Sequence, residues 1–200
     1  MNVKRAMARP LHSLGEAYTI TWLALFSARD FSAARRHGLV SRPFAERIML
    51  AVTEVNGCGI CSYAHTRTAL EMGMSSAEIQ GLLAGSHADV PPEELPAVLF
   101  AQHYAEARGA PSREAWQRIV TIYGLPTAKG ILAAARIIMW GNAYGIAGSS
   151  FINRFKGRPD ERSSLAYELS LIMSSIVIVP AALIRALWAL ARHSPAIRFE

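Results

Sequence analysis

From Pro43 to Gly73 the chain reads PFAERIMLAVTEVNGCGICSYAHTRTALEMG. Phe44, Ile48, Ala51 and Val55 recur at three- and four-residue intervals, the period of a buried stripe on one helix. Asn56-Gly57 then stops that helix, because glycine readily takes the left-handed conformation found just past helix ends. The segment Cys58–Met72 is again helical in pattern, and Gly73 closes it. Two helices joined by so short a turn fold back on each other as a hairpin.

The same reading extends outward in both directions. Helices are expected over His12–Ser27, Pro43–Asn56, Cys58–Met72, Ser75–Gly85, Pro92–Arg108, Ser112–Tyr123, Thr127–Asn153 and Ser163–His193. Strong breakers stand between them: Pro91-Pro92, Gly109 to Pro111, Gly124 to Pro126 and Gly157 to Pro159. Ser75 with Glu78 has the form of a capping box, whereas Ser112 lacks such a partner three residues on. No segment alternates with period two. The expected fold is all-α, a helical bundle forming one domain over residues 1–200.

Composition bounds the function classes. At 52% hydrophobic and 18% charged, against about 25% charged for typical soluble domains, the chain is not disordered. Two cysteines cannot build a disulfide scaffold. The net charge of +6 comes mostly from arginines that are scattered, Arg35-Arg36 being the densest group, so no nucleic-acid partner is expected. Lys4, Arg5 and Arg9 precede the apolar stretch Tyr18–Ala28, loosely like a secretory signal, but Glu16 sits at its edge. Leu169–Ile184 carries no charge over 16 residues, short of the roughly 20 a spanning helix needs, and Pro180 interrupts it. The expectation is a cytoplasmic protein without membrane partners, with the apolar helix of about 163–193 buried in a homo-oligomer. The Gly-, Ala- and Ser-rich stretch Ile138–Ser150 suits close helix packing, and Trp22, Trp116, Trp140 and Trp188 suit core or interface filling.

One constellation carries chemistry: Glu46, Cys58, Cys61 and His65. At about 100° per residue Cys58, Cys61 and His65 fall within about 60° of one another on a helix. The hairpin brings Glu46, on the preceding helix, back beside His65. Thiols in the first turn of a helix meet unpaired amides and the positive end of the macrodipole, which favour the reactive thiolate. The three-residue spacing allows a disulfide, His65 lies one turn beyond Cys61 to take its proton, and Glu46 can orient the imidazole. Oxidation to a sulfenic acid and condensation with the second thiol would complete a two-cysteine peroxidase cycle. Two other readings fit the same residue types: a zinc site of Cys, Cys, His and Glu, and a pair of inert buried thiols. Glu54 is nearer the cysteines in sequence but two turns along from Glu46 and is set aside, as are His12, His37, His87, His103 and His193.

The run Glu46-x11-Cys58-x2-Cys61-x3-His65 resembles the signature of the alkylhydroperoxidase D-like proteins in the carboxymuconolactone decarboxylase superfamily. The close resemblance covers Pro43 to Leu83, and Trp140 to Gly157 is similar more loosely. It implies an all-helical fold, trimers or hexamers, and a hydroperoxide reductase that uses neither metal nor other cofactor. It further implies that Cys61 attacks the peroxide, Cys58 resolves it, Glu46 and His65 relay protons, and an external dithiol or protein reductant closes the cycle. Cys61 is also the nearer sulfur to His65 by spacing, and Cys58 is expected to be the more exposed of the two. Ile60 departs from the pattern, since the best-known peroxidases of this type carry a histidine there. Decarboxylases of the superfamily lack the cysteine pair. Two alternatives stand beside the peroxidase: a non-enzymatic redox-responsive oligomer, and a decarboxylase-like enzyme acting through Glu46 and His65.

Overall fold

The structure, a computed structural model, describes residues 9–197 and 199; Lys4 and Arg5 of the signal-like pattern lie outside them. Among the described residues every regular element is a helix: α1 (Leu14–Arg36), α2 (Arg42–Asn56), α3 (Gly59–Glu71), α4 (Ser76–Leu83), α5 (Leu95–Glu106), α6 (Arg113–Arg154) and α7 (Leu165–Ala191). The fold is all-α.

The main core gathers α1, α2, α5 and α6 around Ile48, Val52, Phe100, Ile131, Leu132 and Met139, and both cysteines belong to it. A second cluster, including Leu50, Ile79, Leu82 and Val98, seats α4 against α2 and α5. Helix α6 is the axis of the bundle, in contact with α1, α2, α3, α5 and α7. It approaches α1 so closely at Gly130 that a Cβ there would stand 2.4 Å from the Ala34 side chain, so only glycine fits.

Several expected boundaries move. Helix α1 runs to Arg36 rather than stopping at Ser27, because Ala34 is buried beneath Gly130. Its start is a complete capping box, with the Ser13 side chain accepting from the Glu16 amide and the Glu16 carboxylate accepting from Ser13. The expected box at Ser75 is only half formed, since the Glu78 carboxylate instead accepts from Arg47 Nε at 2.5 Å. The expected break at Gly124–Pro126 is present: Gly124, at φ 75° and ψ 155°, is non-helical and divides α6 into two helices that meet at a kink. The first turn after Pro91-Pro92 is not helical, and α5 begins at Leu95.

Helix α7 is continuous for 27 residues through Pro180, so the length objection to a membrane span does not hold. It is one of two described helices long and apolar enough to cross a membrane, the other being α6. It is also not buried within the chain: over its most apolar window only 17% is covered.

Candidate active site

The site forms where α2 turns into α3. Ser41 caps α2 by accepting from the Phe44 amide at 3.1 Å, and Gly57 ends it in the left-handed conformation, φ 68° and ψ 38°. Cys58 follows in extended geometry (φ −84°, ψ 99°) and is the cap of α3 rather than a member of its first turn. Its Sγ accepts from the Cys61 amide at 3.4 Å. Cys61 lies within the first turn, and the two sulfurs are joined as a disulfide. The expected order of exposure is reversed: Cys58 is fully buried and Cys61 is 8% exposed. The cap conformation turns the first sulfur inward over the α3 N-terminus and against α6.

Helix α6 supplies the wall behind the sulfurs. At Gly145 a Cβ would lie 2.9 Å from Cys61 Sγ and 3.1 Å from Cys58 Sγ, closer than a side chain tolerates. Cys61 Sγ also lies 3.7 Å from the Gly141 carbonyl oxygen, the acceptor a reduced thiol would face. Buried contacts fix α2 to the same stretch: Thr53 Oγ1 donates to Asn142 Oδ1 at 3.2 Å, and Asn56 Nδ2 lies 3.1 Å from Met139 Sδ. The small residues of 138–150 are thus a packing surface, as expected, but the object packed against them is the disulfide. The spacing Gly141-x3-Gly145 was the signal for it.

Arg162, one of the scattered arginines of the sequence, grips the turn that carries Cys58. Its guanidinium donates to the Asn56 carbonyl at 3.0 Å and the Gly57 carbonyl at 3.2 Å, and pairs with Asp160 Oδ2 at 2.8 Å. Burial works against ionisation of Asp160, but the hydrogen bonds from Arg162 outweigh it and hold the carboxyl below its usual range.

Glu46 and His65 meet across the hairpin. His65 Nδ1 lies 2.7 Å from Glu46 Oε2, with side-chain exposures of 23% and 11%. His65 Nδ1 is the ring nitrogen that faces the carboxylate, which leaves Nε2 for another partner. Along α3, His65 is four residues, about one turn, beyond Cys61. Glu54, buried at 2% exposure, has its carboxylate beside Gly85 on the α4 side. All four sequence-predicted residues therefore lie in one hairpin. Among the described residues no group of three or more His, Cys, Asp and Glu side chains is placed to hold a metal ion.

Beside the disulfide opens a cleft of about 820 Å³, lined by Ile60, Tyr63, Gly145, Ile152, Lys156 and Arg158 among others. Ile60, at the position expected to hold histidine, is 49% exposed and forms an apolar part of this wall. The arrangement can hold a dithiol or disulfide at a helix N-terminus, with an imidazole–carboxylate pair one turn on and an open cleft alongside.

Residues 21–108 match the model of the carboxymuconolactone decarboxylase family. No curated protein and no solved structure gives a match to the chain.

Proposed function

Starting from this carboxymuconolactone decarboxylase segment, which contains Glu46, Cys58, Cys61 and His65, we propose that the protein is a thiol-dependent hydroperoxide reductase. The observation that carries the reading is the pairing of the Cys58–Cys61 disulfide with the His65–Glu46 contact in one hairpin. The Cys61 thiolate attacks the outer oxygen of a hydroperoxide, the O–O bond breaks, and the alkoxide leaves with a proton delivered from His65 to give an alcohol. Cys61 is left as a sulfenic acid. The Cys58 sulfur then attacks Cys61 Sγ, the S–S bond forms, and hydroxide leaves with the Cys58 proton as water. An external dithiol returns both thiols by two exchanges and is itself oxidised to a disulfide. The greater exposure of Cys61 suits its meeting the peroxide.

We further propose that the active form is a homotrimer or homohexamer in which α7 meets other copies. Its outward positions are large and apolar: Met173 is 60% exposed, Ile176 68%, Val177 70% and Ile184 70%. Covering such a surface is the ordinary reason for closed assembly.

The test is mass spectrometry of the reduced protein before and after one equivalent of cumene hydroperoxide, followed by turnover with a dithiol. Loss of two hydrogens, mapped to a Cys58–Cys61 bond, and catalytic consumption of peroxide are expected. Two alkylatable thiols surviving peroxide in folded protein would reject the reductase and favour the decarboxylase-like alternative. Disulfide formation without turnover would favour the redox-responsive one. A 21.8 kDa particle by light scattering would reject the assembly alone.

A further inference from the structure

Arg136, on α6, is a buried cation with only neutral partners. It is 4% exposed. Its Nε donates to Tyr104 OH at 3.3 Å, Nη1 to Ser27 Oγ at 2.9 Å and Nη2 to the Ala196 carbonyl at 2.8 Å. Among the described residues no carboxylate lies within ion-pairing distance of it, although a guanidinium stays charged at every accessible pH. Three of its five N–H groups are used in these bonds, which leaves two donors. Burying a charge without a counter-charge is costly, so a fold that keeps one invites an anion.

The guanidinium lies on the wall of a cavity of about 790 Å³ bounded by α1, α6, α7 and the segment after α7. Its apolar walls are Trp22, Phe26 and Trp188. Two further arginines line it, each stacked on a ring and neither in an ion pair among the described residues: Arg185 lies 4.4 Å from the Trp22 centroid and Arg113 4.9 Å from that of Phe199. Glu114, an exposed residue, also lines it. On α6, Arg136 and Gly145 are nine residues apart, about 180° around the helix, so this cavity opens on the side away from the sulfurs.

We propose that this cavity binds an amphipathic carboxylate, its head group on Arg136 and its apolar body against Trp22, Phe26 and Trp188. Arginine matches a carboxylate with paired donors, and the aromatic lining suits an acyl or aryl body. The volume is within the range of cavities that enclose molecules of this size.

The experiment is calorimetric titration of the full chain with dodecanoate below its micelle concentration, beside dodecanol, which has the same tail without the charge, and acetate, which has the head alone. Saturable binding of one dodecanoate per chain is expected, about tenfold or more tighter than dodecanol, with acetate undetectable. Arg136→Gln, shown by circular dichroism to be folded, should lose that charge preference. Should that variant not fold, Arg185→Glu at the rim carries the test and should weaken dodecanoate about tenfold while leaving dodecanol unchanged. Equal affinity for dodecanoate and dodecanol overturns the proposal. So does binding of many molecules per chain, or a folded Arg136→Gln protein, or Arg185→Glu protein where that variant carries the test, that binds dodecanoate as wild type.

Discussion

Helices α2 and α7 are both rich in aliphatic residues, and they use them in opposite ways. In α2 the large side chains Ile48, Leu50, Val52 and Val55 are buried, 2% exposed at most. In α7 the buried apolar residues are mostly small, Ala182, Ala186 and Ala189 beside Leu171, while Ile176, Val177, Ile184 and Trp188 stand at 57–70% exposure. Helix α2 completes its packing inside one chain and so can hold Glu46 and the start of α3 in place. Helix α7 lies close on α1 and α6 through its small residues and turns its large ones outward. Hydrophobicity alone therefore does not say where a helix is buried; the side on which its small residues fall does.

The largest effect expected from the α2–α3 side is chemical. Cys61→Ser should abolish peroxide consumption, and Glu46→Gln should slow it by about 100-fold while leaving the fold intact. Stopped-flow peroxide kinetics checks both. A matched pair of substitutions then tests the comparison itself. Ile48→Ala should cost about 2–5 kcal/mol in urea unfolding. Ile176→Ser should change the stability of a single chain by no more than about 0.5 kcal/mol and act instead on assembly, read by light scattering. Equal costs at the two positions would mean that α7 belongs to the chain's own core as fully as α2 does.

Gly145→Ala should cost about 1–3 kcal/mol by crowding, and it should slow disulfide closure, because the methyl would press on both sulfurs. Closure at the wild-type rate would show that α6 yields at this point. The smallest effect concerns the polar anchor of α7. Glu168 is fully buried and accepts from Arg154, Ser150 and Ser163 at 2.6–2.9 Å. The Arg154 hydrogen bond outweighs the opposing effect of burial and lowers its carboxyl from 4.5 to about 2. Because the folded value lies below the ordinary one, this stabilisation is complete above pH 4.5 and is lost as pH falls toward 2. Hydrogen exchange in that window should loosen the start of α7 before α2, and Glu168→Gln should remove the pH dependence.

The α2–α3 hairpin is legible because its information is local: a stripe, a stop signal and four candidate site residues within 20 positions. The meeting of His65 with Glu46 follows from counting turns on each side of Asn56-Gly57. Whether Cys58 begins the helix or caps it does not follow, since both place the sulfurs three residues apart. The reach of α1 to Arg36 depends on Gly130, far along the chain, and periodicity cannot see such a partner. Gly124 and Pro126 read as a stop, and the chain does break there, because glycine readily takes the φ 75°, ψ 155° that divides α6 into two helices. Arg162 and Arg136 were lost among scattered arginines because their roles come from backbone carbonyls and hydroxyls brought in by tertiary folding.

Cys58 accepts the Cys61 amide, so one reactant of the pair also holds the end of the helix on which the other is mounted. Replacing it therefore poses two questions at once. Serine keeps an acceptor at that point and removes only the sulfur chemistry, whereas alanine also strips the cap, at about 1 kcal/mol. A gap between the two variants in melting temperature would measure fastening, and their shared loss of disulfide would measure reactivity. The thiolate, being charged, is a stronger acceptor than the neutral thiol, so deprotonating the first sulfur also tightens the end of the helix that presents the second.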